Sequence, residues 1–181
     1  MTVSAGSGLE PLARTDSGHS QIHLLGFMGC GKSTVARLLA RRLLWNYLDL
    51  DVLVTRHAGA SIESIFAAEG EEGFRSIESH VLRQAVQKPR TIVALGGGTM
   101  VREENRELIG QQALSVWLRA SFATCRSRIG DGTGRPLFND PEAARKLFET
   151  RRPLYAEARI TVDAEGPVQE IAACIEAAAR G

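Results

Sequence analysis

The sequence predicts an α/β fold in which a parallel sheet of five strands lies between two layers of helices. Apolar, strand-like runs alternate with helical patterns along the chain, as is typical of parallel sheets with helices on both faces. Glycines in Gly26–Thr34 lie where a predicted strand turns into a predicted helix, and polar clusters follow other strands at Asp49/Asp51 and Gly96–Gly98. Because ligands bind at the carboxyl ends of such strands, the clusters predict one site there.

Apolar periodicity places the individual elements. Short apolar runs bounded by turn residues predict strands, and apolar residues at a spacing of 3.6 predict helices. In order, we expect strand 21–25, helix 32–44, strand 46–50, a helix to about 57, helices 62–68 and 74–86, strand 91–95, helix 103–109, strand 114–118, helix 122–129, a helix from 140 to about 158, strand 160–162 and a helix that opens at 166.

Capping residues and glycines set several boundaries of these elements. Ser61 is a typical N-cap residue, as is Asp140, which is followed by Pro141 in the first turn of its helix. Two glycines, Gly70 and Gly73, predict an interruption between the helices on either side of them.

Length and composition limit the class of protein. The 181 residues predict a single domain, 21–181, after a disordered tail, 1–20, that is rich in Ser and Gly. The 22 basic and 21 acidic residues give no support for nucleic acid or a membrane surface as partner, and no apolar run approaches a membrane span. Near-neutral charge favours a monomer, and three widely spaced cysteines without a disulfide or metal pattern favour the cytoplasm.

The segment Gly26–Thr34 reads G-x-x-x-x-G-K-S, the phosphate-binding loop (P-loop) of nucleotide-binding proteins. Its glycines allow backbone N–H groups to surround an anion, and the start of the next helix adds a positive dipole end. We expect Lys32 to reach the β- and γ-phosphates and the hydroxyl of Ser33 to bind Mg²⁺.

Two carboxylates follow the second predicted strand. Asp49 and Asp51 are two residues apart, and side chains at that spacing on a strand point the same way. One carboxylate would hold the water shell of Mg²⁺, and the other would orient an acceptor hydroxyl or take its proton. The alternative is a solvated acid pair at a strand end. No acid follows strand 91–95, so Asp49 is the candidate for metal support, whereas Gly96–Gly98 allows a molecule to approach the backbone closely.

Three arginines stand in distinctive contexts: Arg75 after Phe74, Arg135 in a glycine-rich loop, and Arg151 before Arg152-Pro153. A guanidinium group suits the bidentate grip of a carboxylate or phosphate, although each arginine is alternatively a solvated surface charge. We expect the loop 130–139 to close over the site as a lid; the alternative is a flexible connector.

An ordered series of motifs makes residues 21–163 resemble the shikimate kinase family. The motifs are the phosphate loop Gly26–Thr34, Asp49-Leu50-Asp51, Ser61–Phe66, Gly70–Glu78, Gly96–Gly98, Arg135-Pro136-Leu137 and Arg151–Tyr155. The resemblance implies a P-loop NTPase fold of the nucleoside-monophosphate-kinase type with a lid. It also implies transfer of the γ-phosphate of ATP to the 3-hydroxyl of shikimate, with Mg²⁺, in aromatic amino acid biosynthesis.

The resemblance implies a role for individual residues as well. Those implied as catalytic are Lys32, Asp51 and Arg135. Those implied to bind ATP are Gly29, Cys30, Gly31, Lys32, Ser33, Thr34, Arg135 and Arg128, the last against adenine. Those implied to bind shikimate are Asp51, Arg75, Gly97, Gly98 and Arg151, with Ile62, Phe66 and Phe74 as an apolar wall and Glu78 supporting the arginines. Those implied to hold Mg²⁺ are Ser33 and, through water, Asp49.

Three alternatives share the phosphate loop. A gluconate kinase, or another small-molecule kinase, shares the loop and the size, and a nucleoside monophosphate kinase would use AMP or CMP as acceptor. A nucleotide-dependent binding module would bind both ligands without phosphoryl transfer. Gly96–Gly98 and Phe74-Arg75-x-x-Glu78 argue against gluconate kinase, and the intact Lys32, Asp51 and Arg135 argue against a module.

Overall fold

The computed structural model describes residues 20–129 and 140–180. The predicted tail, apart from Ser20, and the predicted lid 130–139 with Arg135 lie outside the described residues. The strands are β1 (Gln21–Leu25), β2 (Asn46–Asp49), β3 (Thr91–Ala94), β4 (Leu114–Arg119) and β5 (Ile160–Asp163). The helices are α1 (Lys32–Leu43), α2 (Leu50–Ala58), α3 (Ile62–Ala85), α4 (Glu103–Gln112), α5 (Phe122–Ile129), α6 (Pro141–Tyr155) and α7 (Val168–Arg180), with a 3₁₀ turn at Thr99–Val101.

The strands form one parallel sheet in the order β2-β3-β1-β4-β5, which confirms the predicted α/β fold. In the middle of the sheet, Leu24 of β1 is in register with Ala94 of β3 on one side and Val116 of β4 on the other. Every residue of β1 and of β3 is buried, so helices cover both faces of the sheet at its centre. None of the described helices is long and apolar enough to span a membrane.

An aromatic cluster anchors the loop that follows β1. The ring of Phe27, which is 2% exposed, lies edge-on to Phe148 of α6 at 5.1 Å between centroids. It also lies 6.4 Å from the ring of Phe122 in α5. Such aromatic contacts add to the apolar area that the rings bury, so the loop is tied to two helices beyond the sheet.

The boundary between β2 and α2 differs from the prediction. β2 ends at Asp49, and Leu50 already begins α2, so Asp51 lies in the first turn of a helix and not on a strand. The reason is that Asp49 caps this helix: its Oδ1 accepts a hydrogen bond from the backbone N–H of Asp51 at 3.2 Å. Strand periodicity therefore does not align the two carboxylates, as the sequence wrongly predicted, although both reach the same site.

Helix α3 also differs from the two predicted helices, 62–68 and 74–86. Only Gly70 has non-helical backbone angles, with φ 69° and ψ −170°, and the helix resumes before Gly73. The predicted interruption is confirmed at Gly70 and is wrong at Gly73, because a glycine inside a helix weakens it without ending it.

Candidate active site

The phosphate loop spans the turn from β1 to α1. Gly29 and Gly31 have φ of +82° and +105°, a region that other residues rarely adopt. A Cβ at Gly29 would also overlap the carbonyl oxygen of Cys125 in α5. Gly31 is the N-cap residue of α1 and has no side chain to cap it, so the first N–H groups of that helix stay available to an anion.

The ammonium group of Lys32 lies against this loop. Its Nζ donates to the carbonyl oxygen of Gly26 at 2.7 Å and to that of Phe27 at 3.1 Å. These contacts hold a positive charge beside the N-terminus of α1, the place that the sequence predicts for nucleotide phosphates.

Oxygen atoms of three residues meet beside the loop. The hydroxyl of Ser33 donates to Oδ2 of Asp49 at 2.8 Å, and the hydroxyl of Tyr47 donates to the same oxygen at 2.9 Å. Burial, together with the Asp49 carboxylate, raises the pKa of Tyr47, so the phenol keeps its proton and remains a donor. Hydroxyl and carboxylate oxygens are the ligands that Mg²⁺ prefers, so Ser33 and Asp49 fit that ion.

A cavity of about 520 Å³, the phosphate-loop cavity, opens in front of these groups. Its lining includes the predicted residues Gly29, Gly31, Lys32, Ser33, Thr34, Asp49 and Arg128. The thiol of Cys30 does not line it, because that side chain is buried behind the loop. The carbonyl oxygen of Cys30 accepts a hydrogen bond from Nη1 of Arg128 at 3.2 Å, which positions Arg128 at the cavity edge.

A second cavity of about 520 Å³, the arginine cavity, lies between α2, α3 and α6. Its lining includes every described residue that the resemblance assigns to the acceptor: Asp51, Ile62, Phe66, Phe74, Arg75, Glu78, Gly97, Gly98 and Arg151. The rings of Phe66 and Phe74 pack at 4.7 Å between centroids and form one apolar wall.

Two buried guanidinium groups give the arginine cavity its chemistry. Nη1 of Arg75 donates to Oε2 of Glu78 at 2.8 Å, and the other oxygen of Glu78 accepts from the hydroxyl of Thr99 at 2.6 Å. Burial lowers the pKa of Arg151, and the charge of Arg75 acts in the same direction. The Nε atoms of Arg75 and Arg151 are both buried, and neither has a hydrogen-bond partner within residues 20–129 and 140–180. Such a pair favours an anion beside it.

The glycine triplet makes room for these side chains. A Cβ at Gly96 would lie 2.6 Å from Oε1 of Glu78 and 2.9 Å from Oδ1 of Asp51, and a Cβ at Gly98 would lie 2.6 Å from Nη1 of Arg75. The sequence predicts that the triplet admits another molecule. The structure shows that it also admits the chain's own charged groups.

The two cavities meet, because Asp51 and Gly97 line both of them. A phosphate at the loop and an anionic acceptor beside the arginines would therefore both face the carboxylate of Asp51. A carboxylate at such a junction can take a proton from an acceptor hydroxyl as the phosphoryl group arrives.

Sequence reasoning missed two tyrosines at this site. The hydroxyl of Tyr155 donates to the carbonyl oxygen of Gly97 at 2.5 Å and so fixes the backbone between the two cavities. Tyr155 lies four residues after Arg151 on α6, and Tyr47 lies two residues before Asp49 on β2. Helical and strand spacing from a predicted site residue is the signal that would have found both.

The phosphate loop with an adjoining cavity for a small anion defines a P-loop kinase that acts on a small molecule. The family model for shikimate kinase matches residues 28–179, and the chain belongs to the shikimate kinase family. Among its relatives, the shikimate kinase of Salinibacter ruber is 40% identical over 163 residues, covering 83% of this chain and 80% of the relative. That of Trichormus variabilis is 42% identical over 156 residues, covering 83% and 86%.

Solved structures agree with this assignment. The shikimate kinase from Acinetobacter baumannii in complex with shikimate has a TM-score of 0.83 and 34% identity, covering 88% of this chain and 92% of that one. A gluconokinase from Sinorhizobium meliloti has a TM-score of 0.57 at 18% identity, and a deoxyadenosine kinase from M. mycoides has 0.63 at 16%. At such low identity, these two show the shared fold alone.

Proposed function

We propose that the chain transfers the γ-phosphate of ATP to the 3-hydroxyl of shikimate and releases shikimate 3-phosphate and ADP. The family match and the relatives named above support this activity. The observation that carries the assignment within this chain is the position of Asp51, which lines both the phosphate-loop cavity and the arginine cavity.

In this proposal, the arginine cavity binds shikimate. Arg75 and Arg151 bind the carboxylate of shikimate, and Glu78 holds Arg75 in place. The ring of shikimate packs against the wall formed by Phe66 and Phe74, with Ile62 at the edge of that wall. Asp51 accepts the proton of the 3-hydroxyl while that oxygen bonds to the γ-phosphorus and the bond from phosphorus to the bridging oxygen of ADP breaks.

The phosphate-loop cavity takes ATP. Lys32 and the N–H groups that begin α1 hold the phosphates, and Arg128, which lines the same cavity, would pack on adenine. Ser33 and, through water, Asp49 would hold Mg²⁺, which supplies charge neutralisation on the phosphates when bound. That Arg135 reaches the transferred phosphate from a lid, that the chain is a monomer and that it lies in the cytoplasm remain predictions from the sequence.

A coupled assay of ADP release tests the acceptor directly. We expect turnover with shikimate and Mg-ATP, and no comparable turnover with gluconate or AMP, because neither presents a carboxylate on a ring with hydroxyls beside Asp51. Turnover with gluconate and none with shikimate would overturn the assignment. Tight binding of ATP and shikimate without ADP release would instead favour a binding module.

A further inference from the structure

Arg75 is paired with a second carboxylate that the activity does not use. Its Nη2 lies 3.3 Å from Oε1 of Glu71, while its Nη1 lies 2.8 Å from Oε2 of Glu78. The two partners differ in burial: the side chain of Glu78 is 1% exposed and that of Glu71 is 67% exposed. Glu78 is therefore a fixed partner, and Glu71 is one that a ligand can replace.

The charges around the arginine cavity make this second pairing unusual for an anion site. Among the described residues that line the cavity, four are carboxylates and two are arginines. Asp51 faces the phosphate-loop cavity as well, and Glu78 is anchored by Thr99. The charge of Glu71 has no such use, and it opposes an incoming carboxylate at the same guanidinium.

The position of Glu71 on α3 allows it to leave Arg75. Glu71 follows Gly70, where the backbone is non-helical, and it precedes Arg75 by four residues. This is the favourable order for a helical ion pair, but solvent screens the pair and keeps it weak, because the carboxylate of Glu71 is exposed. A substrate carboxylate that also contacts Arg151 competes with it at little cost.

We propose that Glu71 is an internal competitor for Arg75: its carboxylate lowers the affinity of the cavity for an acidic acceptor, which must displace it, and leaves the affinity for a neutral ligand unchanged. The inference rests on the proposed function, in which Arg75 binds the carboxylate of shikimate. Without the acid, Glu71 pairs with Nη2 of Arg75, and the carboxylate of the acid displaces it. A neutral ligand leaves the pair of Glu71 and Arg75 intact and gains nothing from that guanidinium.

The test is Glu71→Gln, which keeps the size of the side chain and removes its charge. We expect the KM for shikimate to fall about two- to fivefold, the range for an ion pair with one solvent-exposed partner, with the KM for ATP unchanged. Glu72→Gln is the matched control, because Glu72 is 85% exposed, is paired with Arg102 and does not line the cavity. If Glu71 only held Arg75 in place, Glu71→Gln would raise the KM for shikimate, and the inference would be overturned.

A neutral ligand separates charge competition from a general change in the cavity. Shikimate methyl ester, measured as a competitor of shikimate, should bind Glu71→Gln and the unmodified enzyme equally well. An equal gain for the ester and the acid would overturn the inference. Failure of the proposed function has a different signature, since the unmodified enzyme would then not turn over shikimate at all.

Discussion

The ammonium group of Lys32 is held in position by the protein's own backbone. The carbonyl oxygens of Gly26 and Phe27 hold its ammonium group beside the first turn of α1. The same loop carries glycines with positive φ and is anchored by the ring of Phe27. The charge is thus held in place in advance, which is the condition under which an electrostatic group contributes most to catalysis.

Replacing Lys32 should therefore affect the chemical step. We expect Lys32→Met to lower kcat for shikimate phosphorylation by about 100- to 1000-fold, the usual cost of removing one preorganised charge or donor. Steady-state kinetics measure the effect, and thermal unfolding checks that the fold persists. Lys88→Met is the control, since Lys88 is exposed beyond α3. An unchanged kcat in Lys32→Met would contradict the role.

His23 is a buried residue of β1 with consequences for pH. Its Nε2 donates to Oε1 of Gln21 at 2.7 Å, and its Nδ1 is buried without a partner among the described residues. Burial lowers the pKa of His23 to about 3, from an ordinary 6.5. Below pH 6.5 the unfolded chain binds a proton there that the folded chain does not, so this histidine costs stability as the pH falls from 6.5 towards 3.

We expect the free energy of unfolding to decline with falling pH less steeply in His23→Gln than in the unmodified chain. The difference between the two slopes should approach about 1.4 kcal/mol per pH unit between pH 6 and pH 4. Urea unfolding at a series of pH values measures it, and the values at pH 8 isolate the effect on packing. Parallel pH dependences of the two proteins would show that His23 takes up its proton in the folded state.

At the scale of elements, α3 connects the apolar wall to the charged part of the arginine cavity. Phe66 precedes the break at Gly70, and Phe74 and Arg75 follow it. Nothing lies within 4 Å of a Cβ at Gly70, so the glycine is required by its backbone angles and not by crowding. The φ of 69° with ψ of −170° falls in a region that only glycine adopts readily.

Two glycine substitutions should therefore have opposite effects on stability. We expect Gly70→Ala to lower the free energy of unfolding by about 1–3 kcal/mol, from backbone strain alone. Gly110→Ala is the control: Gly110 lies in α4, also has open space around it, and should gain about 0.5–1 kcal/mol in helix propensity. Urea titrations of both variants give the comparison. A stabilised Gly70→Ala would mean that the helix runs through this position without a break.

At the scale of the whole molecule, the sheet brings together groups that are distant in sequence. α1 carries Lys32, α3 carries Arg75 and α6 carries Arg151, and the segment after β3 supplies the glycines between them. The two cavities share Asp51 and Gly97, so a ligand in either cavity would border the other. Ligands that bind only this assembled state should stabilise the fold as a whole.

We expect shikimate at about 100 times its Kd to raise the Tm by roughly 5–10 °C, because such binding adds about 2.7 kcal/mol to the folded state. Arg75→Ala should lose this shift and keep the shift caused by a non-hydrolysable ATP analogue. Differential scanning calorimetry measures both. Equal losses for the two ligands would contradict the assignment of Arg75 to the acceptor carboxylate.

The sequence by itself determined the features that depend on local physics. The glycines and the Lys32-Ser33 pair specify the phosphate loop, Ser61 and Asp140 cap their helices, and the alternation of apolar patterns specifies the parallel sheet. Each depends on a few neighbouring residues, so a pattern read along the chain was sufficient. The family resemblance then named the residues around the acceptor, but not how they contact one another.

Only the tertiary structure decided those contacts. It placed Asp51 on a helix that Asp49 caps, at the junction of two cavities, whereas the sequence had predicted that Asp51 lies at the end of a strand. It also set Tyr155 against Gly97, and it buried Arg75 while leaving Glu71 exposed. Such contacts join elements or depend on the exposure of each side chain, and both are set by packing across the whole sheet.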